Sequence, residues 1–383
     1  MLSMVLMTLL VHCSISSHAE TDVVQDRSFK TVCYYPMSSK LNSTAENPIP
    51  LGLNPSLCSH LIFIPTWIDG HNRIVPATQA HGEIFQRAIP VIRKINPKIT
   101  IMTSNGGKFD PVMESMKNTS EFVSSVVHFM KKYDFDGVDL DWEFPGWPDM
   151  HKPIGQVHNF SIVLMELRKA FEIEARTSGN PRYLLSAAVC SGKSMADRIY
   201  QYGYIKKAVD FVNLMGYDYH GPWDNEVDYN SPLYPEHNGS SLVESATFWG
   251  NYIGKDKVMV GFPFYCHAYK LKSSTEHGFH APAIGNGECN FKGYTCVCEA
   301  MKNKNATSVW DNISMVPYIY YGNQWVSYDN EKSVALKTRW ILQNGFAGLM
   351  VWEMIADDYA AECDGKTHYP LMKSVLKTIN DSL

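Results

Sequence analysis

Eight short apolar runs recur along the chain and alternate with segments of helical periodicity, and this alternation limits the fold more than any other feature. The runs are nearly continuous in apolar residues, which is typical of parallel strands buried on both faces. Strands that alternate with helices predict a helix-covered sheet, most simply a closed (β/α)8 barrel of the TIM type. An open doubly wound sheet is the alternative, but no glycine-rich nucleotide fingerprint follows any strand. The predicted strands are Thr31–Tyr35, His60–Ile64, Ile99–Thr103, Gly137–Glu143, Leu184–Val189, Phe211–Tyr217, Val258–Phe264 and Gly348–Met354.

Three helices between these strands are predicted from their apolar spacing. Glu121–Tyr133 carries its apolar side chains on one face, and Thr119 or Ser120 is the expected N-cap. Phe160–Ala175 and Glu331–Gln343 show similar spacing.

One connection is longer than a compact fold usually allows. About seventy residues separate the seventh strand from the helix before the eighth, and a structureless loop of that length is unusual. The segment contains the strand-like runs Val316–Tyr321 and Gln324–Tyr328. It therefore predicts a small α+β subdomain at residues 268–330, inserted into a catalytic barrel that spans residues 28–383.

The N-terminal residues predict secretion. Leu2–Val11 is a short apolar run, and Ser17 and Ala19 stand at the −3 and −1 positions of a cleavage site before Glu20. We expect residues 1–19 to be a signal peptide and the protein to be secreted and extracellular. Glycosylation sequons, some of them chance matches, fit this compartment and begin at Asn42, Asn118, Asn159, Asn238, Asn305, Asn312 and Asn380.

Charge and hydropathy exclude some partners. The formal net charge is −5 and no basic stripe is present, which argues against a nucleic-acid partner. No stretch after the signal is apolar for eighteen residues, so no membrane span is expected.

The cysteines outside the signal form an even set, which in an oxidising compartment indicates disulfides, although counting does not give their pairing. The spacing Cys296-x-Cys298 is too tight for a usual zinc knuckle, so structural bridges are favoured over a metal site. The set is Cys33, Cys58, Cys190, Cys266, Cys289, Cys296, Cys298 and Cys363.

The fourth predicted strand carries an unusual row of acids. Alternate side chains of a strand share a face, so Asp139, Asp141 and Glu143 are expected to align with a spacing of about 6.6 Å, while Trp142 and its apolar neighbours face the helices. Mutual repulsion and burial should raise the pKa of at least one of the acids. A carboxylic acid that keeps its proton near the working pH is what a glycosidic leaving group needs. Glu143 lies nearest the C-terminal rim, where barrel enzymes place their chemistry.

Two other interpretations of this row are available. A solvated acidic edge strand would explain the charges, but Trp142 and the flanking apolar residues argue against it. A Ca²⁺ or Mg²⁺ site would also use acids, but EF-hand-like spacing and a nearby histidine are absent.

The pattern Asp136-x-x-Asp139-x-Asp141-x-Glu143 resembles the DxxDxDxE signature of glycoside hydrolase family 18, the chitinases and chitinase-like lectins. Five further segments resemble motifs of that family, and the resemblance extends from about Thr31 to Ile379. They are Cys33-Tyr34-Tyr35 and Leu57-Cys58-Ser59-His60 (the first two strands), Ser104-Asn105-Gly106-Gly107 (SxGG), Met215-Gly216-Tyr217-Asp218-Tyr219-His220-Gly221 (MxYDxHG) and Trp352 on the last strand.

The resemblance implies a retaining, substrate-assisted reaction, for which this family is a known exception to the two-carboxylate scheme. Glu143 would act as general acid and then as base, while the 2-acetamido carbonyl of the substrate attacks its own anomeric carbon. Asp141 would bind the acetamido N–H and share a proton with Asp139, and Tyr217 would orient the acetamido oxygen.

The same resemblance implies the sugar-binding residues. Trp352 would form the floor of the −1 subsite, Asp218 and Tyr265 would hydrogen-bond near the same ring, and Trp223 would line the cleft further out. Tyr34 and Gly107, which lie in matching motifs, are further candidates to contact the substrate. Simple packing is the alternative for each aromatic side chain. No cofactor or metal is implied.

The family's disulfides imply the pairs Cys33–Cys58 and Cys298–Cys363. A Cys289–Cys296 bridge is plausible within the insertion, and Cys190 and Cys266 are left as either free or paired.

The chain departs from the family pattern at several positions that would contact polymer. Lys108 stands where a tryptophan is common in the family. The first-strand motif lacks its early tryptophan, since Tyr35 is followed by Pro36. Cys266-His267 stands where a Gly-Arg pair is usual. Loss of stacking platforms predicts a preference for short or soluble chitooligosaccharides. Gly216 stands where threonine is common, and the sequence offers no mechanistic reason.

The function expected from these features is a secreted, monomeric chitinase that hydrolyses β-1,4-linked N-acetylglucosamine in chitin or chitooligosaccharides. The alternative is a catalytically weak chitinase-like lectin, a class that usually loses the acid that Glu143 retains here. A third interpretation, an endoglycosidase that acts on the chitobiose core of N-glycans, shares the chemistry and needs a different cleft.

Overall fold

The computed structural model describes residues 29–37, 48–106, 109–146, 155–236 and 239–382. The predicted signal peptide at residues 1–19 lies outside these ranges. The strands in chain order are Lys30–Pro36 (β1), His60–Ile68 (β2), Ile74–Pro76 (β3), Thr100–Gly106 (β4), Gly137–Asp141 (β5), Leu184–Cys190 (β6), Phe211–Met215 (β7), Val258–Pro263 (β8), His267–Leu271 (β9), Ala283–Asn286 (β10), Thr307–Trp310 (β11), Pro317–Tyr321 (β12), Gln324–Ser327 (β13) and Gly348–Trp352 (β14).

Eight of these strands form a closed parallel barrel. They follow the order β1-β2-β4-β5-β6-β7-β8-β14, and β1 pairs with both β2 and β14 to complete the circle. The barrel predicted from the alternating apolar runs is therefore confirmed. The short β3 pairs antiparallel with the extended end of β2.

Most helices of the described chain cover the outside of the barrel, whereas Tyr294–Asn303 packs with the second sheet described below. The helices are Gln79–Ile95 (α1), Asp110–Met113 (α2), Met116–Tyr133 (α3), Gly155–Ser178 (α4), Lys193–Ile199 (α5), Tyr202–Ala208 (α6), Leu242–Ile253 (α7), Tyr294–Asn303 (α8), Glu331–Gln343 (α9) and Pro370–Ser382 (α10), and short 3-10 turns occupy Pro55–Leu57, Lys255–Lys257 and Met354–Ala356. Helix α9 has the predicted bounds. Helix α3 begins earlier than predicted, because Ser115 caps it by accepting a hydrogen bond from the Asn118 N–H, and Thr119 lies buried inside the first turn.

Three predicted strands were two residues too long at the same end of the barrel. Strands β5, β7 and β14 end at Asp141, Met215 and Trp352, so Glu143 and Tyr217 lie just beyond them. The β5 pairing stops because its neighbour β4 also ends there, with Gly106 opposite Asp141. The candidate residues therefore lie at the C-terminal mouth of the barrel, where loops replace strands.

The inner and outer faces of β5 follow the predicted alternation. Asp139 contacts residues of other barrel strands, whereas Trp142 packs outward against the rings of Phe109 and Phe160.

Three disulfides are present in the described part of the chain. The structure joins Cys33 to Cys58 and Cys298 to Cys363, the two pairs that the resemblance implied, and it also joins Cys289 to Cys296. The remaining pair, Cys190 and Cys266, are buried free thiols.

A second, antiparallel sheet lies between β8 and α9 in the chain. Its order is β10-β9-β13-β12-β11, and its core is aromatic, with Trp325 stacked on Tyr318 and contacting Tyr269. It falls within the segment predicted as an insertion, residues 268–330, apart from its first residue, His267. That this segment is a subdomain of its own remains a prediction.

Within the described ranges, no helix is long and apolar enough to cross a membrane.

Candidate active site

Asp139 lies at the centre of the barrel and is completely buried. Its carboxylate accepts four hydrogen bonds from four other strands, which is close to the capacity of two carboxylate oxygens. Burial raises the pKa of Asp139, and these four hydrogen bonds oppose the rise. The donors are Tyr34 Oη (2.7 Å), Ser104 Oγ (3.0 Å), Ser186 Oγ (2.6 Å) and Asn213 Nδ2 (3.1 Å).

Asp141 is the next inward-facing residue, and its surroundings differ. It is 8% exposed, and its buried Oδ1 has no hydrogen-bond partner among the described residues. Burial, with the negative charges of Glu143 and Asp139, raises the pKa of Asp141 well above its usual range. Neutral donors occupy most of the acceptor capacity of Asp139, and a proton shared between Asp139 and Asp141 remains a prediction.

Glu143 stands at the mouth of the barrel and is exposed. The surrounding protein still removes part of its hydration, and this burial, together with the negative charge of Asp218, raises the pKa of Glu143. Glu143 also lies close enough to Tyr217 for its charge to help raise the pKa of that phenol, although burial has the largest effect.

Tyr217, Asp218 and Tyr265 meet beside Glu143. Tyr217 and Tyr265 are each 6% exposed and pack edge to face, with ring centroids 6.0 Å apart. The Tyr265 hydroxyl donates to Asp218 Oδ1. Asp218 has a left-handed backbone (φ 57°), and its N–H donates to Asn230 Oδ1 at 2.8 Å, which fixes the turn after β7.

Two aromatic side chains predicted to contact sugar have different surroundings. Trp352 ends β14, is partly buried, and packs against the ring of Tyr34 with centroids 5.4 Å apart. Tyr34 is only 1% exposed and its hydroxyl is bonded to Asp139, so it supports the Trp352 ring and the acid from below. The direct substrate contact expected of Tyr34 is therefore corrected to a supporting position, because its polar atom is already used.

Trp223 is 57% exposed at the same mouth. A Cβ atom at Gly221 would lie 2.4 Å from the Trp223 ring, so glycine allows the indole to fold back onto the chain. The remaining predicted sugar contact, Gly107, lies outside the described residues, as does Lys108.

The first acid of the signature has a structural role. Asp136 accepts a hydrogen bond from the Ile101 N–H at 2.7 Å and pairs with Arg93 at 3.0 Å, at the opposite end of β5 from Glu143. The structure also explains Gly216, because a Cβ atom there would lie 2.3 Å from the Gly261 carbonyl oxygen on β8.

Several residues of the site were not predicted. Ser186 and Asn213 interrupt otherwise apolar strands, and this interruption was the available signal. Phe291 is 62% exposed and stacks on Tyr265 (centroids 5.7 Å, 19° between planes), but it comes from a loop whose position no local pattern indicates.

No cluster of three or more His, Cys, Asp or Glu side chains suited to a metal ion occurs in the part of the chain that the structure describes. The groups that meet at the mouth of the barrel are carboxyls, phenols and exposed aromatic rings. This arrangement is typical of the class of proteins that hold a carbohydrate against aromatic faces.

The comparisons with known proteins identify the class more closely. Residues 30–357 match the family model for Glycosyl hydrolases family 18, and the chain belongs to that family. It is 32% identical over 368 residues to chitotriosidase-1 of Mus musculus, covering 92% of this chain and 78% of that protein. It is 30% identical over 374 residues to chitinase-3-like protein 2 of Homo sapiens, covering 92% and 93%.

A solved structure of human YKL-39, described as a pseudo-chitinase with retained chitooligosaccharide binding properties, matches with a TM-score of 0.83 at 29% identity and covers 92% of this chain and 99% of that one. The family inferred from the motifs is confirmed. The fold is shared by chitinases and by chitinase-like proteins, so the fold alone does not decide between hydrolysis and binding.

Proposed function

We propose that this protein is a secreted hydrolase that cleaves β-1,4-linked N-acetylglucosamine oligomers with retention of configuration. The observation that carries the proposal is the pairing of two carboxyls with raised pKa values, Glu143 at the open mouth and Asp141 just below it. Such a pair keeps a proton at a pH at which isolated carboxyls have lost theirs.

Substrate binding would place that proton on Glu143. The buried Asp141 Oδ1 lacks a hydrogen-bond donor, and the acetamido N–H of a bound sugar supplies one. A hydrogen bond to an ionised acceptor favours the ionised form, so Asp141 becomes the anion. The negative charge of Asp218 favours the protonated form of Glu143.

The reaction then follows the substrate-assisted course. Glu143 donates its proton to the glycosidic oxygen as the acetamido carbonyl attacks the anomeric carbon, and ionised Asp141 stabilises the positive oxazolinium that forms. Tyr217 orients the acetamido oxygen. Glu143 next accepts a proton from the water that opens the ring, and its original state is restored.

The test compares Glu143→Gln with the wild type on a fluorogenic chitobioside. We expect the wild type to release the fluorophore and the variant to be slower by about 100-fold or more, the effect of losing a general acid. Glu114→Gln is the matched control, since Glu114 is an exposed glutamate between helices α2 and α3. Equal, negligible rates for wild type and Glu143→Gln would refute hydrolysis.

A chitooligosaccharide-binding lectin is the second candidate, favoured by the similarity to YKL-39. In that case chitotetraose binds the wild type and Glu143→Gln with similar affinity and is not cleaved by either. Secretion is supported by three disulfides, which persist in oxidising compartments. Gel filtration of the purified protein tests the proposed monomer.

A further inference from the structure

His267 lies between two hydrogen-bond acceptors next to the candidate site. It begins β9 and is completely buried. Its Nε2 lies 2.7 Å from Asp218 Oδ1, and its Nδ1 lies 2.9 Å from Asn290 Oδ1. The exposed rings of Trp223 and Phe291 flank it edge to face, with centroids at 5.1 and 4.7 Å.

The neighbours of Asn290 fix which of its side-chain atoms faces the imidazole. The Ala268 N–H donates to Asn290 Oδ1 at 3.2 Å, and Asn290 Nδ2 donates to Asn286 Oδ1 at 3.0 Å. Because a backbone N–H can only donate, the oxygen of the amide must point toward both Ala268 and His267. Nδ1 of His267 therefore carries a hydrogen.

The other ring nitrogen also faces an acceptor. Asp218 Oδ1 already accepts the Tyr265 hydroxyl hydrogen bond, and a neutral imidazole has a single N–H. If the ring is neutral and its one N–H donates to Asn290, Nε2 carries no hydrogen. Two acceptors, Nε2 and the Asp218 carboxylate oxygen, would then face each other at 2.7 Å. A second proton is needed to satisfy this contact.

We propose that His267 is an imidazolium that donates from both nitrogens and holds Asp218 in position beside Glu143. His267 is thus a positioning residue, and its effect on catalysis rests on the proposed function. The titratable groups that face it are Asp218 and Tyr265. Its other neighbours are uncharged: Asn290, Trp223, Phe291 and, across the strand pair, Ser327 on β13.

The second proton is what holds Asp218. Without it, two acceptors face each other, and Asp218 loses the partner that holds it beside Tyr265 and Glu143. Arginine is always charged and only donates, so it can replace this donor, whereas the side chain of glutamine is neutral. His267→Arg should therefore keep activity that His267→Gln loses.

The first test does not depend on hydrolysis. The full protein is labelled with 15N-histidine, and the NMR signals of wild type and His267→Gln are compared at neutral pH. The signals missing from the variant should be those of an imidazolium with both ring nitrogens protonated. Missing signals of a neutral ring with one bare nitrogen would overturn the proposal.

The second test measures kcat and KM on chitotetraose at one pH for wild type, His267→Arg and His267→Gln, with the exposed His71→Gln as control. His267→Gln should lower kcat by about tenfold or more, because a displaced Asp218 no longer stands beside Glu143, while the control matches the wild type. His267→Arg should recover most of this loss, because arginine keeps the charge and the N–H donors. Equal, low rates for His267→Arg and His267→Gln would refute the positioning role.

If no protein in the series hydrolyses the sugar, the proposed function fails, and the same variants are compared by their chitotetraose affinity in calorimetry. The imidazolium proposal then stands or falls on the NMR signals and on whether His267→Gln loses affinity that His267→Arg keeps.

Discussion

Removal of the central carboxyl should destabilise the whole barrel. Asp139→Ala deletes the acceptor of four buried donors that come from four strands. Asn213 Nδ2 keeps a second bond, to Tyr34 Oη at 3.0 Å, so three hydroxyl donors lose their partner. Each stranded buried donor costs about 1–3 kcal/mol, and relief from burying a carboxyl with a raised pKa offsets part of the sum. We expect a net loss of about 3–5 kcal/mol in the free energy of unfolding.

Urea denaturation followed by tryptophan fluorescence measures this loss. Asp139→Asn keeps one acceptor oxygen, and a serine hydroxyl can turn to accept from the new amide, so its loss should be clearly smaller. Asp197→Ala removes an aspartate that pairs with Lys193 at the surface, and it should change the midpoint little. A free energy for Asp139→Ala within about 1 kcal/mol of the wild type would refute the view that this carboxylate ties the strands together.

Two further predictions concern pH and substrate size. Burial raises the pKa of Glu353 to about 7, so the folded state binds this proton more tightly than the unfolded state, and stability falls as pH rises from the unfolded pKa through about 7. Glu353→Gln should therefore match the wild type in urea at pH 4 and exceed it at pH 8 by about 1–3 kcal/mol, and equal stabilities at pH 8 would contradict this. Because Lys108 stands where a stacking tryptophan is common and the first-strand motif lacks its early tryptophan, kcat/KM should be higher on chitotetraose than on crystalline chitin. Comparable values on the two substrates would contradict this preference.

The sequence predicted the barrel and the inward direction of Asp139 and Asp141, because both follow from short-range periodicity. The alternation of apolar runs with helices decides the fold class, and the two-residue period of a strand decides which side chains face inward. Glu143 was placed on the strand, whereas it lies beyond it, since strand ends depend on where the neighbouring strand stops pairing.

The partners of these acids could not be predicted in the same way. Asp139 receives hydrogen bonds from residues 35 to 105 positions away in the chain, and no local pattern fixes which strands meet. The polar residues Ser186 and Asn213 in otherwise apolar strands indicated inward-facing positions, but they did not indicate that both side chains donate to Asp139. His267 and Asn290 form their contact only because a loop returns from the second sheet to the barrel mouth.

The structure separates the acid that stabilises the fold from the acid that the proposed chemistry needs. Asp139 is completely buried and accepts four hydrogen bonds, and its loss should cost stability in this chain. Glu143 is exposed and makes no hydrogen bond to the described residues, so a substitution there costs the fold little. A protein of this family that only binds sugar is therefore free to lose the rim acid while it keeps the central one. Stability does not explain why this chain retains Glu143, with its pKa raised, and its retention is explained if the acid is used in hydrolysis.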